Sequence, residues 1–150
     1  SAVNIYSYLN FGLFLYFVFI NNYLTKKTMQ FLFSGAVLTG VFNIIFSGTI
    51  FTFFFYVYCY VSAVMLIVSV DILSKQIMEL RIKLFNNFWF WVSSSSVIYN
   101  AFTLLIFTLY VFAMRFTPNG KAIADIQHFV NAACYLFFTV AIFKIPEKSK

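Results

Sequence analysis

The side chains that could perform chemistry are few and far apart in this chain of 150 residues. The single histidine is His128, and the two cysteines, Cys59 and Cys134, each fall inside an apolar run. The sequence has no glycine-rich phosphate loop, no nucleophile beside a general base and no metal-ligand spacing. We therefore predict no catalytic residue, no metal ligand and no redox cofactor bound by this chain, and we interpret His128 as an interfacial residue.

Asp71 is the ionisable residue that lies closest to the interior of an apolar run. Ionisable residues inside a membrane mark proton or ion paths, so Asp71 is a candidate for the mouth of a proton path. The alternative is that Asp71 ends the apolar run and pairs with Lys75, four residues further along a helix. The apolar runs otherwise carry no charge, so we do not expect the chain to carry protons unaided.

Uncharged polar residues and small residues are better represented inside the apolar runs. The polar ones are Asn43, Ser93 to Ser96, Asn100, Thr103 and Thr108. A small-residue patch includes Gly35, Ala36 and Gly40, and small residues allow two membrane helices to approach closely. We interpret both groups as helix-packing residues, with a solute path as the alternative.

The charge-free stretch over residues 28–70 must cross a membrane. Its 43 residues contain no charge and no proline, and they are about twice the roughly 20 residues that one helix needs to cross a hydrocarbon core. Gly48 is the best local helix breaker and predicts a turn near residues 47–49, where it would also serve helix packing. This stretch therefore predicts a hairpin of two membrane helices.

The composition of the whole chain also predicts a membrane protein. Hydrophobic residues make up 63% of it and charged residues 9%, against about 25% charged residues in soluble domains. We predict one transmembrane domain over residues 1–150, without a soluble catalytic domain. The net charge is +6, with its cations clustered at the ends of apolar runs. That placement favours lipid headgroups, including structural lipids, over nucleic acid as partners.

We predict an all-α bundle of five transmembrane helices, at about residues 5–24, 29–46, 49–70, 88–114 and 126–143. Trp89 and Trp91 are expected to anchor the start of the fourth at the interface. Five spans place two cations, Arg115 and Lys121, on one side of the membrane and eight on the other: Lys26, Lys27, Lys75, Arg81, Lys83, Lys144, Lys148 and Lys150. The positive-inside rule then places the N-terminus outside and the C-terminus inside.

The segment at residues 71–87, between the third and fourth spans, carries apolar residues at helical spacing and two oppositely charged i,i+4 pairs. It predicts a short amphipathic helix at the membrane surface. Its role stays open between a docking element and a solvated connector.

The third span resembles that of chain 6 of mitochondrial NADH:ubiquinone oxidoreductase, respiratory complex I. The resemblance lies in Tyr60, Val61, Ser62 and Ala63 and the apolar run that follows to residue 68. Residues 47–51 are similar to the turn that precedes this span in the family. Ser62 stands where the family has glycine, and Ile50 stands where it commonly has glutamate.

This resemblance implies a non-catalytic core subunit in the membrane arm of complex I, in the mitochondrial inner membrane. Its partners would be other membrane subunits, with NADH oxidation and ubiquinone reduction carried out elsewhere. The third helix would gate proton translocation through an irregular, π-type turn between Tyr56 and Val64, with Tyr60 to Ala63 and Asp71 near the proton path. The alternative is a structural or accessory membrane subunit, a tetraspan-like organiser, of another large assembly. A small transporter is disfavoured because the spans lack charge and paired broken helices.

Overall fold

The computed structural model describes residues 2–47, 55–79, 84–116 and 120–144. Within these ranges the chain is all-helical, without strands. Its α-helices are α1 (Ala2–Ile20), α2 (Lys26–Ser47), α3 (Phe55–Glu79), α4 (Phe88–Phe116) and α5 (Gly120–Ile142), and a short 3-10 helix, Leu84–Asn86, precedes α4. The predicted all-α class is confirmed.

Three of these helices are long and apolar enough to cross a membrane: Lys26–Phe46, Tyr56–Met78 and Phe88–Leu109. They have 21, 23 and 22 residues, each more than the roughly 20 that a hydrocarbon core requires. The apolar parts described for α1 and α5 are shorter, Tyr8–Ile20 and His128–Ile142. The chain is therefore an integral membrane protein, while five crossings and their orientation stay predictions.

Helix α3 differs most from its predicted bounds. It was expected to end at residue 70, with a separate surface helix after it, but it continues without a break to Glu79. The reason is that a charge ends an apolar run without ending a helix. Asp71 and Lys75 form an ion pair within α3, at 2.6 Å, and the residues that follow each of them, Ile72 and Gln76, are buried on the neighbouring face of the helix. The prediction of a separate amphipathic helix that begins at Asp71 is therefore wrong.

The irregular turn predicted between Tyr56 and Val64 is also wrong for this structure, because those residues form regular α-helix. The segment contains neither proline nor glycine, and serine and alanine at residues 62 and 63 fit an ordinary helix. Helix α2 ends at Ser47. Gly48 and the rest of the predicted turn lie outside the described residues.

The chain divides into two compact units, residues 1–65 and 66–150, and each is described by itself. Helix α3 contributes residues to both. The single transmembrane domain over residues 1–150 stays a prediction.

The first unit is built on the α1–α2 hairpin. Phe11, Leu15 and Val18 lie on one face of α1, and all are buried. Helix α1 ends in a Schellman motif: the Tyr23 amide donates to the Val18 carbonyl at 3.1 Å, and the Asn22 amide donates to that of Phe19 at 2.9 Å. Asn22 takes the left-handed conformation that this motif requires, with φ 62°.

Helix α2 starts from a capped N-terminus two residues after that motif. The Thr25 side-chain oxygen accepts the Thr28 amide at 3.2 Å, and the two threonine hydroxyls lie 2.8 Å apart. Such N-cap bonds satisfy an amide that the helix itself leaves without a partner. The loop between α1 and α2 is therefore closed by local hydrogen bonds at both of its ends.

The second unit contains α4 packed against α5. Asn87 caps α4 by accepting the Trp89 amide at 2.8 Å, and its side-chain nitrogen donates to Gln76 of α3 at 2.7 Å. The Trp91 indole donates to the Phe85 carbonyl at 2.8 Å and stacks on Phe137 of α5. These bonds hold the start of α4 in place, and with it the polar residues one turn later.

Candidate functional site

A stripe of buried polar side chains runs along one face of α4. Ser93, Ser96, Asn100 and Thr103 follow each other at intervals of three, four and three residues, which is helical spacing. All four are buried. We refer to these four residues as the α4 polar stripe.

Ser96 is the centre of the stripe. Its hydroxyl accepts a hydrogen bond from Ser69 of α3 at 2.7 Å. The Asn100 amide donates to the Ser96 carbonyl at 2.8 Å and to its hydroxyl at 3.2 Å. Ser96 therefore joins α3 to α4, and Asn100 holds its hydroxyl in place.

Ser95, next to the stripe, connects α4 to α5. Its hydroxyl donates to the Cys134 carbonyl at 3.1 Å, and the Cys134 thiol lies 3.7 Å from the Ser95 carbonyl. Cys134 and Cys59 are both free thiols. This reciprocal contact uses two small side chains, which lets the two helices approach closely.

The two ends of the stripe are different from its centre. The Ser93 and Thr103 hydroxyl oxygens are buried and have no hydrogen-bond partner in the part of the chain that the structure describes. A buried hydroxyl without a partner costs about 1–3 kcal/mol, so such groups call for a water or another polar ligand. The residues of the stripe can donate and accept hydrogen bonds, but they cannot ionise.

Tyrosine side chains provide the polar contacts of the first unit. The Tyr60 hydroxyl donates to the Leu32 carbonyl of α2 at 3.0 Å, and the Tyr8 hydroxyl donates to the Ala36 carbonyl at 3.1 Å. Each hydroxyl lies over a glycine of α2. A Cβ built on Gly35 would overlap the Tyr60 hydroxyl, and one on Gly40 would overlap that of Tyr8.

The residues predicted from the third span lie in different surroundings. Val61 and Ser62 are buried, while Tyr60 and Ala63 are half-buried on the same helix. Asp71 is 55% exposed and paired with Lys75.

Gly35, Ala36 and Gly40 lie on the side of α2 that the tyrosines approach. Ala36 is fully buried, and its carbonyl accepts the Thr39 hydroxyl as well as that of Tyr8.

His128 is exposed at the start of the apolar part of α5. Over the described ranges, no group of three or more histidine, cysteine or acidic residues could hold a metal ion.

The sequence did not predict the hydrogen bond of Tyr8 to α2, nor which side chains of the α4 polar stripe are hydrogen-bonded. The stripe had a signal, since its four residues recur at helical spacing. Tyr8 had none, because its partner is 28 residues away on another helix.

Comparisons with protein-family models, curated proteins and solved structures found no match to this chain. The resemblance to chain 6 of complex I therefore rests on the sequence of the third span and of residues 47–51 before it.

Proposed function

We propose that this chain is a non-catalytic subunit in the membrane arm of a respiratory complex I, contributing to redox-driven proton translocation. In this proposal it crosses the mitochondrial inner membrane five times, with its N-terminus outside and its C-terminus inside. It binds structural lipids and other membrane subunits.

The α4 polar stripe is the observation that carries the proposal. Its end hydroxyls, of Ser93 and Thr103, are buried without a partner among the described residues, and its centre is an ordered set of hydrogen bonds. Such a stripe is suited to ordering water in a membrane interior. The buried polar residues of the described chain are all uncharged, so the proton-binding groups must come from partner subunits.

The outer surface supports a role within a larger membrane assembly. Large aromatic side chains are exposed on α2 and α5, among them Phe31, Phe46, Phe129 and Tyr135. In a membrane, such faces are covered by lipid or by other helices. This arrangement fits a subunit that lines part of a water path whose ionisable groups belong to partner subunits.

The test is to recover the chain with its neighbours from its own membranes in a mild detergent and identify them by mass spectrometry. Co-purification with NADH dehydrogenase subunits is the expected result. Recovery with the subunits of a different assembly, and without any NADH dehydrogenase subunit, would contradict the proposal.

A second candidate is a structural or accessory subunit of another large membrane assembly. The observation that favours it is the regular α-helix from Tyr56 to Val64, since a purely structural helix needs no irregular turn. The two candidates differ in what the stripe does. If the chain is the complex I subunit, the double variant S93A/T103V should lower the number of protons translocated per NADH oxidised. The control S94A, beside the stripe, should leave that number unchanged.

A further inference from the structure

A groove of about 550 Å³ lies between α1 and α2 in the first unit. Its walls include Gly12, Leu15 and Tyr16 from α1 and Gln30, Phe33 and Ser34 from α2. These positions lie one to three turns from the loop that joins the two helices. The groove is therefore near the loop end of the hairpin.

Gly12 leaves its part of the groove wall without a side chain. A Cβ at that position would lie 3.5 Å from the Phe33 ring, an ordinary contact distance, so a larger side chain would extend into the open space. The Phe33 ring is held by stacking on the buried Phe11, with ring centres 6.4 Å apart. The apolar wall is thus fixed in place, and its width depends on the glycine.

Two lysines continue the α2 wall toward the loop. Lys26, Lys27, Gln30, Phe33 and Ser34 recur at helical spacing and share one face of α2. Both lysines are exposed. The first 70 residues contain no aspartate or glutamate, so neither lysine has a carboxylate partner in this unit. One face of α2 therefore presents, in order, two cations, a polar amide and an apolar slot.

We propose that this groove binds an anionic phospholipid. The acyl chain lies between Gly12 and Phe33, and the phosphate lies against Lys26 and Lys27. The side chain of Gln30 lies between these two sites, at the depth of the glycerol and ester groups. The order of charge, amide and apolar surface along α2 matches the order of groups along a phospholipid. This proposal does not depend on the assembly to which the chain belongs.

The headgroup part is tested with the full chain in vesicles of equal phosphatidylglycerol and phosphatidylcholine, followed by native mass spectrometry of the lipids that stay bound. Wild type is expected to retain phosphatidylglycerol in preference. The double variant K26Q/K27Q is expected to lose that preference by roughly tenfold, since each cation near a membrane surface adds attraction for anionic lipid. The matched control is K75Q, which removes a lysine that is paired with Asp71. An unchanged preference in K26Q/K27Q would overturn the proposal.

The acyl part is tested by filling the groove from either wall. G12L and S34F are expected to lose the retained lipid whatever its headgroup, while L13F, which adds volume at an exposed position of α1 outside the groove lining, is expected to keep it. Helical content by circular dichroism checks that each variant is folded.

A third measurement uses wild type, so it does not depend on any variant. Phosphatidylglycerol with a photoactivatable acyl chain should label peptides that contain residues 12–16 or 30–34. Labelling confined to other helices would overturn the proposal. So would a loss of self-association or partner binding in G12L with lipid retention unchanged, because the groove would then be a helix interface.

Discussion

The two units of this membrane protein use polar side chains in opposite ways. In the first, a long tyrosine side chain reaches a backbone carbonyl across a glycine, as Tyr60 does at Leu32. In the second, short side chains bond to each other, as the Ser69 hydroxyl does in donating to that of Ser96, or to the backbone, as Ser95 does at Cys134. The first arrangement depends on space being left empty, and the second depends on polar groups being present. The first unit should therefore be sensitive to added volume and the second to lost hydrogen-bonding groups.

The largest effect is expected for G35A in the first unit. The added Cβ overlaps the Tyr60 hydroxyl and moves it away from the Leu32 carbonyl. Overpacking of this kind costs about 1–3 kcal/mol. The free energy of unfolding, measured by reversible denaturant titration in mixed micelles, should fall by that amount relative to G12A, which gains the same helix propensity from alanine.

The control for G35A is the same substitution at Gly12, where the new Cβ meets Phe33 at an ordinary distance of 3.5 Å. G12A should leave stability unchanged or raise it by up to about 1 kcal/mol, since alanine favours a helix over glycine. In a background of Y60F, which removes the hydroxyl, G35A should cost less than it does alone. Equal losses at both glycines would show that the tyrosine contact is not the cause.

The next largest effect is expected for N100A in the second unit. Asn100 donates two hydrogen bonds to Ser96, so its loss removes both and frees the hydroxyl that Ser69 bonds. Side-chain hydrogen bonds in membranes contribute about 0.6 kcal/mol on average and up to about 1.7 kcal/mol each. The same titration should show a loss of about 1–2 kcal/mol. The control is T108A, because Thr108 bonds a carbonyl of its own helix and is exposed. A loss in T108A equal to that in N100A would contradict the central role of Ser96.

A smaller loss is expected for S93A. Its hydroxyl is buried without a partner among the described residues, and the proposed function places a water there, so alanine removes the hydrogen bond to that water. The free energy of unfolding should fall by up to about 1 kcal/mol, less than in S96A, one turn away. A rise in stability would show that the hydroxyl is buried without a water and would contradict the stripe as a water site.

The α4 polar stripe shows what sequence can and cannot provide. Its residues are visible as a polar set within an apolar run, and their helical spacing places them on one face. Which hydroxyl is bonded and which is not depends on Ser69, 27 residues away from Ser96. Contacts of such separation follow from how the helices pack, and one sequence does not report that packing.

Helix bounds show the same limit at α3. The start of α4 at Phe88 was predicted because an apolar run begins there, after the polar pair Asn86 and Asn87. The predicted end of α3 at residue 70 was wrong because hydropathy reports the solvent along a helix and not its hydrogen bonds. The charges of Asp71 and Lys75 end the apolar run, but the backbone hydrogen bonds of α3 continue past them to Glu79.

The smallest effect is expected for D71N, and it decides between the two roles open to this residue. Asp71 is 55% exposed, and its partner Lys75 lies one turn away on the same helix. Exposed pairs of this kind contribute about 0.3–0.5 kcal/mol, and salt screens them further. We expect D71N to lower the free energy of unfolding by no more than this, and less at high salt. We also expect unchanged proton translocation in the intact assembly, because the pairing accounts for the carboxylate without a proton path. A large fall in translocation with stability retained would instead place Asp71 at the mouth of such a path.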